Sequence, residues 1–564
     1  MHRCLAVLDL ILLIARQIKA NGSWKSADLL AFILTCRTIC YPALDILWEE
    51  LEDPHPLIYL FPEISVMKED QGLLFPDAPP RADSDEWKKR KIIIYMTDIP
   101  GPNDWDRFIF YSRKIRTLHC YSGFGLEYIY NLLPHSPPGI PLLPNLKHLI
   151  WTIPDLENWS LVFLFISSTL VRVDVTIPTA YDALRFMDIL CDNVPKIQVI
   201  NFDYPKNLLP LLISQEMQLK LNGMVTSLRR VTHLQLTTVP AGITISISAL
   251  RVLSLFEHLQ HLKIEITEEP YASSTSYLFP HSAFQCLEEL ELRWRDSNLS
   301  GLVSRVIKAM KAPQLSRLCV QSFCYVHPTD VTALIAAIST HSTLTELEIA
   351  NLGQCNNPDD PAEEDEDEDE DEDDDDDEDE LRILPLNHHR ITPLFFLTKL
   401  QSFKLLGYTL SFSKDTIDTL TQSWRKLRTI IIDDLHEPNP LFLVDFSDYH
   451  CFFIRCPDLS FIKIPFYCNY RYRRHLPPSH GNEEEGMSVV IDLTGCKVDN
   501  PLLTSIGLII IFGTLVTVKE QDNQYISHNL RMLRNHLALH GFFAWEYINI
   551  EEWAMHEPAP IDIL

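Results

Sequence analysis

The sequence predicts an α/β protein: a three-helix N-terminal module followed by a solenoid whose parallel strands form a curved sheet, with helices on its convex side. Two observations lead there. A phrase of the form apolar-x-x-apolar-x-apolar occurs twelve times along 564 residues, and in mid-chain it starts at positions 231, 259, 287, 315 and 344, a period of 28 or 29. Apolar stripes at helical spacing fill the first 52 residues and recur between the phrases.

In residues 1–52, Val7, Leu10, Ile11, Ile14 and Ile18 form one helical stripe. Asp28 opens a second apolar segment that ends at Thr35, Cys36 and Arg37. Pro42 stands near the start of a third helix, in which Leu44, Leu47, Trp48 and Leu51 fall at i, i+3, i+4, i+7. Residues 53–91, rich in proline and charge, read as a linker, and 92–556 as the solenoid.

The phrases run from Ile115-Leu118-Cys120 and Leu146-Leu149-Trp151, through Leu315-Leu318-Val320 and Leu344-Leu347-Ile349, to Leu459-Ile462-Ile464. Alternate side chains of a strand share a face, so the second and third apolar positions enter one core, and a parallel neighbour requires a return crossing. Ala183, Phe186, Met187 and Leu190 supply one crossing helix, and Val303, Val306, Ile307 and Met310 another. Val331, Leu334, Ile335 and Ile338 supply a third, with Asp330 as its cap. No repeat buries its apolar face alone, so neighbours stack. Past the last phrase, 502–518 reads as a buried element, because two glycines, three threonines and a serine make it a poor membrane span. Ile526, Leu530, Leu533 and Leu537, stopped near Gly541, read as a closing helix.

The period and phrase resemble the leucine-rich repeats. That family usually places an Asn or Cys three residues after the third apolar position to bond the turn; here those places hold residues such as Gly123, Pro154, Leu352 and Tyr408, so irregular repeats are expected. The N-terminal helices resemble an F-box of the fungal type. Leu8-Asp9 stand where that family usually has Pro-Glu, followed by Leu34, Cys36, Arg37 and a closing Trp48. The resemblance implies that Leu8, Asp9, Ile11, Leu34, Cys36 and Trp48 dock a Skp adaptor, and through it a cullin, while the repeats hold an unknown protein substrate. The chain is then the non-catalytic substrate-recognition subunit of a Skp-cullin-F-box ubiquitin ligase.

The residues flanking the second apolar position of each phrase alternate away from the core: Thr117 and His119, His148 and Ile150, Glu289 and Glu291, Arg317 and Cys319, Glu346 and Glu348. They are expected to face solvent and touch the substrate. Glu289, Glu291, Glu346 and Glu348 suggest a partner with a basic patch, and as exposed charges they should contribute little to stability.

The net charge is −29, of which the wholly acidic run 363–380 carries 18, leaving −11 on the rest. That sign disfavours nucleic acid and anionic lipid as partners. The acidic stretch, 356–383, should be disordered by self-repulsion, and its place between phrases beginning at 344 and 400 marks an insertion of about one repeat. It reads as a solubilising loop or as a DNA mimic for basic proteins.

Thirteen cysteines without paired spacing fit scattered thiols in a reducing compartment, cytoplasmic or nuclear. His450, Cys451, Cys456 and Cys468 match no familiar zinc spacing, and no cofactor is expected. Asp9 within the first apolar run argues against a secretory signal. Lys88-Lys89-Arg90-Lys91 could serve nuclear import, or be exposed charge before a strand, and the Tyr470-Arg471-Tyr472-Arg473-Arg474 stretch reads as a solvated loop. Seventeen glycines form no phosphate-binding loop, and no H-E-x-x-H or G-x-S-x-G occurs. Two other readings stand beside the ligase subunit: an acidic leucine-rich scaffold or histone-chaperone-like protein, and a GTPase-activating protein of the Ran type. Neither needs the N-terminal helices.

Overall fold

The computed structural model describes residues 7–21, 25–61, 64–68, 92–96, 100–101, 103–121, 135–137, 141–153, 156–203, 231–236, 244–245, 247–266, 283–324, 326–352, 386–408, 413–433, 450–464, 467–468, 489–492, 497–498 and 516–519, with four single positions besides. They fall into two compact units, 1–265 and 266–564. The acidic run, Lys88-Lys89-Arg90-Lys91, the Tyr470 to Arg474 stretch, the closing helix apart from Arg531, most of the linker and most of 502–518 lie outside the described residues.

Unit 1 opens with three helices: α1 (Leu8–Asn21), α2 (Lys25–Ile33) and α3 (Arg37–Trp48). Their shared core is Ile11, Ala15, Leu29, Ile33, Ile39, Ala43 and Ile46. Two expectations change here. Pro42 lies inside α3, not near its start, because the helix begins at Arg37 behind the extended Cys36; the proline ring forfeits one backbone bond. The buried stripe of α3 is therefore Ile39, Ala43 and Ile46, with Leu44 and Leu47 only partly covered.

Leu51 is no part of that helix. It belongs to a two-residue strand, Glu50–Leu51, at the edge of an open sheet that continues through Thr117–Cys120, His148–Trp151, Arg172–Thr176, Val199–Asp203, His233–Leu236 and His261–Ile266. Neighbours along this path pair in parallel, with Leu51, Leu118, Leu149, Val173, Ile200, Leu234 and Leu262 in register. A separate antiparallel pair joins Ile64–Lys68 to Ile92–Met96, within the stretch expected to be linker and the first residues of the solenoid.

Unit 2 repeats the pattern. Its path runs Glu289–Trp294, Arg317–Ser322, Glu346–Asn351, Ser402–Leu406, Thr429–Asp433, Phe461–Lys463, Val489–Asp492 and Val516–Lys519. All neighbours again pair in parallel, with Leu290, Leu318, Leu347, Phe403, Ile430, Ile462 and Ile491 in register. These inward residues are almost wholly buried. Each contributes roughly 1.5–3 kcal/mol of apolar burial, which is what fixes the register.

A backbone ladder runs along the strand path of each unit, where each strand begins. The Glu49 carbonyl accepts N–H bonds from Arg116 and Thr117 at 2.8 and 2.9 Å, and the Arg116 carbonyl from Lys147 and His148 at 2.7 and 2.9 Å. In unit 2 the Glu288, Ser316, Thr345, Gln401 and Arg428 carbonyls each do the same for the following strand. With no asparagine to bond the turns, backbone N–H groups supply those bonds. Phe323 donates to Trp294, Leu352 to Ser322 and Gly407 to Asp433, at 2.7–2.9 Å. Gly407 does so at φ 71°, a conformation that suits glycine.

The crossing helices stand where the stripes place them: Ala180–Asn193, Ser300–Ala309 and Pro328–Ile338, the last two packed side by side. The cap of the last is His327, whose ring accepts from the Thr329 N–H at 3.3 Å, and Asp330 sits one turn in. Proline at the first helical position moves the start upstream. His341 links these helices with Nε2 at 3.0 Å from the Ile307 carbonyl. Burial pushes the imidazole pKa down, and the bond to that carbonyl only partly offsets the shift.

Candidate functional site

The three-helix module carries more apolar surface than its core uses. In α1 the residues Leu8, Leu10, Ile11, Leu12, Leu13, Ile14 and Ala15 surround the axis, so the core can take only one side. Ile11 and Ala15 fill it, while Leu8 and Leu13 remain 55% and 63% exposed. In α2, Leu29 and Ile33 turn inward, and Leu30 and the following Leu34 outward, the latter 76% exposed.

Of the six residues expected to dock an adaptor, Leu8 and Leu34 are therefore surface apolar groups, and Asp9 is exposed in the first turn of α1. Cys36 packs partly against the core as the residue preceding α3. Ile11 is 1% exposed and belongs to the core, so it is not available to a partner. Trp48 is half-buried, its ring centroid 4.4 Å from that of Tyr111. Leu10, Leu13, Ile14 and Leu30 extend the surface beyond the adaptor-docking residues expected from sequence; the signal for the first three was the continuous apolar run at the start of α1, and for Leu30 the Leu29-Leu30 pair in α2.

The module is fastened to the unit 1 sheet. Lys19 of α1 reaches the Ile46 carbonyl and Glu50 Oε2, each at 3.3 Å, and Glu50 Oε1 lies 3.2 Å from His119 Nε2. Burial alone would raise the Glu50 pKa, but Lys19 and His119 outweigh it and hold it below the ordinary value. Lys114 pairs with Asp45 of α3 and lies 4.4 Å over the Phe110 ring.

The outward face of the unit 1 sheet carries a second polar cluster. Asp174 accepts from Arg172 Nε at 2.7 Å, from Asn201 Nδ2, and pairs with His148 Nε2. Its partial burial favours the neutral acid, but these three partners prevail and hold its pKa at about 2. His148 and His119 lie on adjacent strands with ring centroids 6.4 Å apart. Arg172, Asp174 and Asn201 were not legible as a group until the register aligned their strands.

In unit 2 the expected outward residues need two corrections. Cys319 is buried, because the long side chains around it close over the sulfur, and Gln321 Nε2 donates to Sγ at 3.3 Å. Burial first, then Glu348 and Glu291, push its thiol pKa up. The glutamates, moreover, are engaged by neighbouring cations. Arg293 meets Glu291 at 2.5 Å, Lys404 meets Glu348 at 3.3 Å, and Arg317 meets Glu346 at 3.5 Å. Glu348 also accepts from Gln321 Nε2 at 3.1 Å. Glu291 is only 12% exposed and Glu348 21%, against 53% for Glu346. Glu289 heads the Glu289–Trp294 strand as the register partner of Arg317. The four do not form a uniformly acidic, solvated surface.

Among the described residues no set of His, Cys, Asp and Glu is arranged to hold a metal. Cys456 is buried beside the Trp424 carbonyl at 3.4 Å, and Cys451 reaches Asp418 at 3.3 Å. No described helix is long and apolar enough to cross a membrane. No family model matches the chain, and no curated protein matches it.

Proposed function

We propose that this chain is the substrate-recognition subunit of a Skp-cullin-F-box type ubiquitin ligase, with an F-box-like module at residues 1–52 and a curved leucine-rich solenoid behind it. One observation carries the reading: a three-helix module that leaves Leu8, Leu13, Leu30 and Leu34 outside its own core while already sitting on a sheet. A helix apolar on all sides is covered in its working state, and exposed apolar surface marks an interaction site. The occupant here is the Skp adaptor, which brings the cullin.

The chain performs no chemistry in this reading. It holds a protein substrate on the repeats and raises the effective concentration of a substrate lysine beside the conjugating enzyme. The strand Glu50–Leu51 and the Lys19, Glu50 and His119 contacts fix the module to the first repeat, which supports such a role. Affinity purification of the full chain followed by mass spectrometry is the test. Co-purified Skp adaptor and cullin are the expected result. Recovery of histones or other basic proteins without them would favour the acidic scaffold instead.

A further inference from the structure

His119 does more than fasten the helical module to the unit 1 sheet: it links a carboxylate to an exposed hydroxyl. Glu50 Oε1 lies 3.2 Å from His119 Nε2, and His119 Nδ1 lies 2.7 Å from the Tyr121 hydroxyl. The strand Thr117–Cys120 turns His119 outward between the buried Leu118 and Cys120. Tyr121 follows at the end of that strand, and Glu50 heads the neighbouring one. The proton positions follow from the partners. Against burial, which favours the neutral acid, Lys19 and His119 hold Glu50 ionised. An ionised carboxylate only accepts, so Nε2 carries the ring hydrogen, Nδ1 offers its lone pair, and the Tyr121 O–H donates to it. Tyr121 is 58% exposed, so it is open to a reagent, while the imidazole beside it is 15% exposed.

We infer that Tyr121 is a covalent acceptor site, a phenol nucleophile that takes the acyl group of an activated carboxylic ester, with His119 as its general base and Glu50 positioning that base. A nucleophile within hydrogen-bond reach of a base that a third group orients is the arrangement by which weak nucleophiles are activated. In the step, the Tyr121 oxygen bonds to the carbonyl carbon of the ester. The bond from that carbon to the leaving oxygen breaks with its electron pair, and the phenol proton passes to His119 Nδ1 and on to the leaving group. The products are a tyrosine ester and the protonated leaving group, with no change of oxidation state. The inference goes beyond the substrate-receptor reading and does not depend on it. Exposure alone predicts a different order of reactivity. Tyr41 and Tyr181 are 66% and 68% exposed, more open than Tyr121, and neither hydroxyl has a hydrogen-bond partner among the described residues. Besides Tyr121 and Glu50, the ionisable groups around His119 are Lys19 beyond Glu50, the exposed Glu52 after the edge strand, and the His148 ring 6.4 Å away with Asp174 behind it.

The test treats the full chain with p-nitrophenyl acetate near neutral pH and follows O-acetylation of Tyr121, Tyr41 and Tyr181 by peptide mass spectrometry, in wild type, His119→Ala and Glu50→Gln. In wild type Tyr121 is expected to react at least tenfold faster than the other two. His119→Ala should bring Tyr121 down to their rate, while Tyr41 and Tyr181 keep theirs and so report that the fold is intact. Tyr121 should slow at acid pH, where a charged ring cannot accept the proton. Glu50→Gln should move that slowing to lower pH, because a carboxylate favours the charged ring, and a mere loss of packing would not move it. Acetylation of Tyr121 no faster than that of Tyr41 and Tyr181 in wild type overturns the inference without recourse to any variant. An advantage that survives His119→Ala, or a pH profile unmoved by Glu50→Gln, overturns it as well.

Discussion

Leu51, three residues beyond the end of α3, is the parallel-strand partner of Leu118 in the first repeat. The helical module therefore ends inside the sheet, and the Glu49 carbonyl supplies the first rung of the backbone ladder. Leu51 is 7% exposed. Leu51→Ala is expected to cost about 2–3 kcal/mol through lost burial and the cavity it leaves, read by chemical denaturation of the full chain. Leu51→Asp should cost more, because it buries an unpaired charge. A cost under about 0.5 kcal/mol for Leu51→Ala would show that the edge strand does not hold the module.

Asp174 sets an acid limit on unit 1. Its folded pKa of about 2 lies below the unfolded value of about 3.9, so its contribution is complete above the unfolded value and is lost as pH falls toward 2. Its side chain is one-fifth exposed, which leaves roughly 1–2 kcal/mol after solvent screening. Asp174→Asn is expected to lower stability at pH 7 by about that amount and to flatten the loss between pH 4 and 2. Equal slopes for the two proteins in that window would remove Asp174 from the account.

The glutamates of unit 2 differ from one another. Glu348→Lys replaces the carboxylate that lies 3.3 Å from Lys404 Nζ by a like charge and is expected to cost about 1 kcal/mol. The charge-swapped pair with Lys404→Glu should recover at least half of it. Glu346→Lys, at a half-exposed site, should cost no more than about 0.5 kcal/mol. Denaturant titrations of the four proteins test this, and a Glu348→Lys cost that the swap leaves untouched would place the effect elsewhere.

How much of this was legible in sequence follows from which strands keep the apolar phrase. All twelve phrases became strands, because in each one the second position faces a continuous core. Three strands on the main strand path were missed, and each breaks the phrase once. Trp48-x-x-Leu51 continues to Asp53, Leu515-x-x-Val518 to Glu520, and Ile491 is preceded at the first position by Ser488. The first two stand at an end of the strand order, where one neighbour suffices. The helical stripes at Ala183, Val303 and Val331 held because each buries one face on the sheet side of a single helix. In the N-terminal module periodicity misplaced the buried side, since in α1 and α3 apolar residues stand on more than one face and spacing cannot say which turns inward. The polar cluster at Asp174 depends on strand register and on a second repeat, neither of which one phrase encodes.

Cysteine reactivity should follow burial. Burial pushes the Cys456 thiol up to about 12, with Arg455 only partly countering it, and raises Cys120 and Cys319 likewise. Native labelling with iodoacetamide at pH 8 is expected to spare these three while unfolded protein reacts at all of them. Rapid native modification of Cys319, read by peptide mass spectrometry, would mean that its cover opens.

The most direct test of the proposed adaptor docking is binding of the purified chain to purified Skp adaptor by calorimetry. Micromolar or tighter binding is expected, with Leu8→Asp, Leu13→Asp and Leu34→Asp each weakening it at least tenfold while thermal midpoints hold, because these side chains lie outside the core. Ile11→Asp should unfold the module instead, since it buries an unpaired charge in the core. No binding by the wild-type chain at micromolar concentration, or unchanged binding by all three leucine variants, would contradict the assignment of this surface to the adaptor.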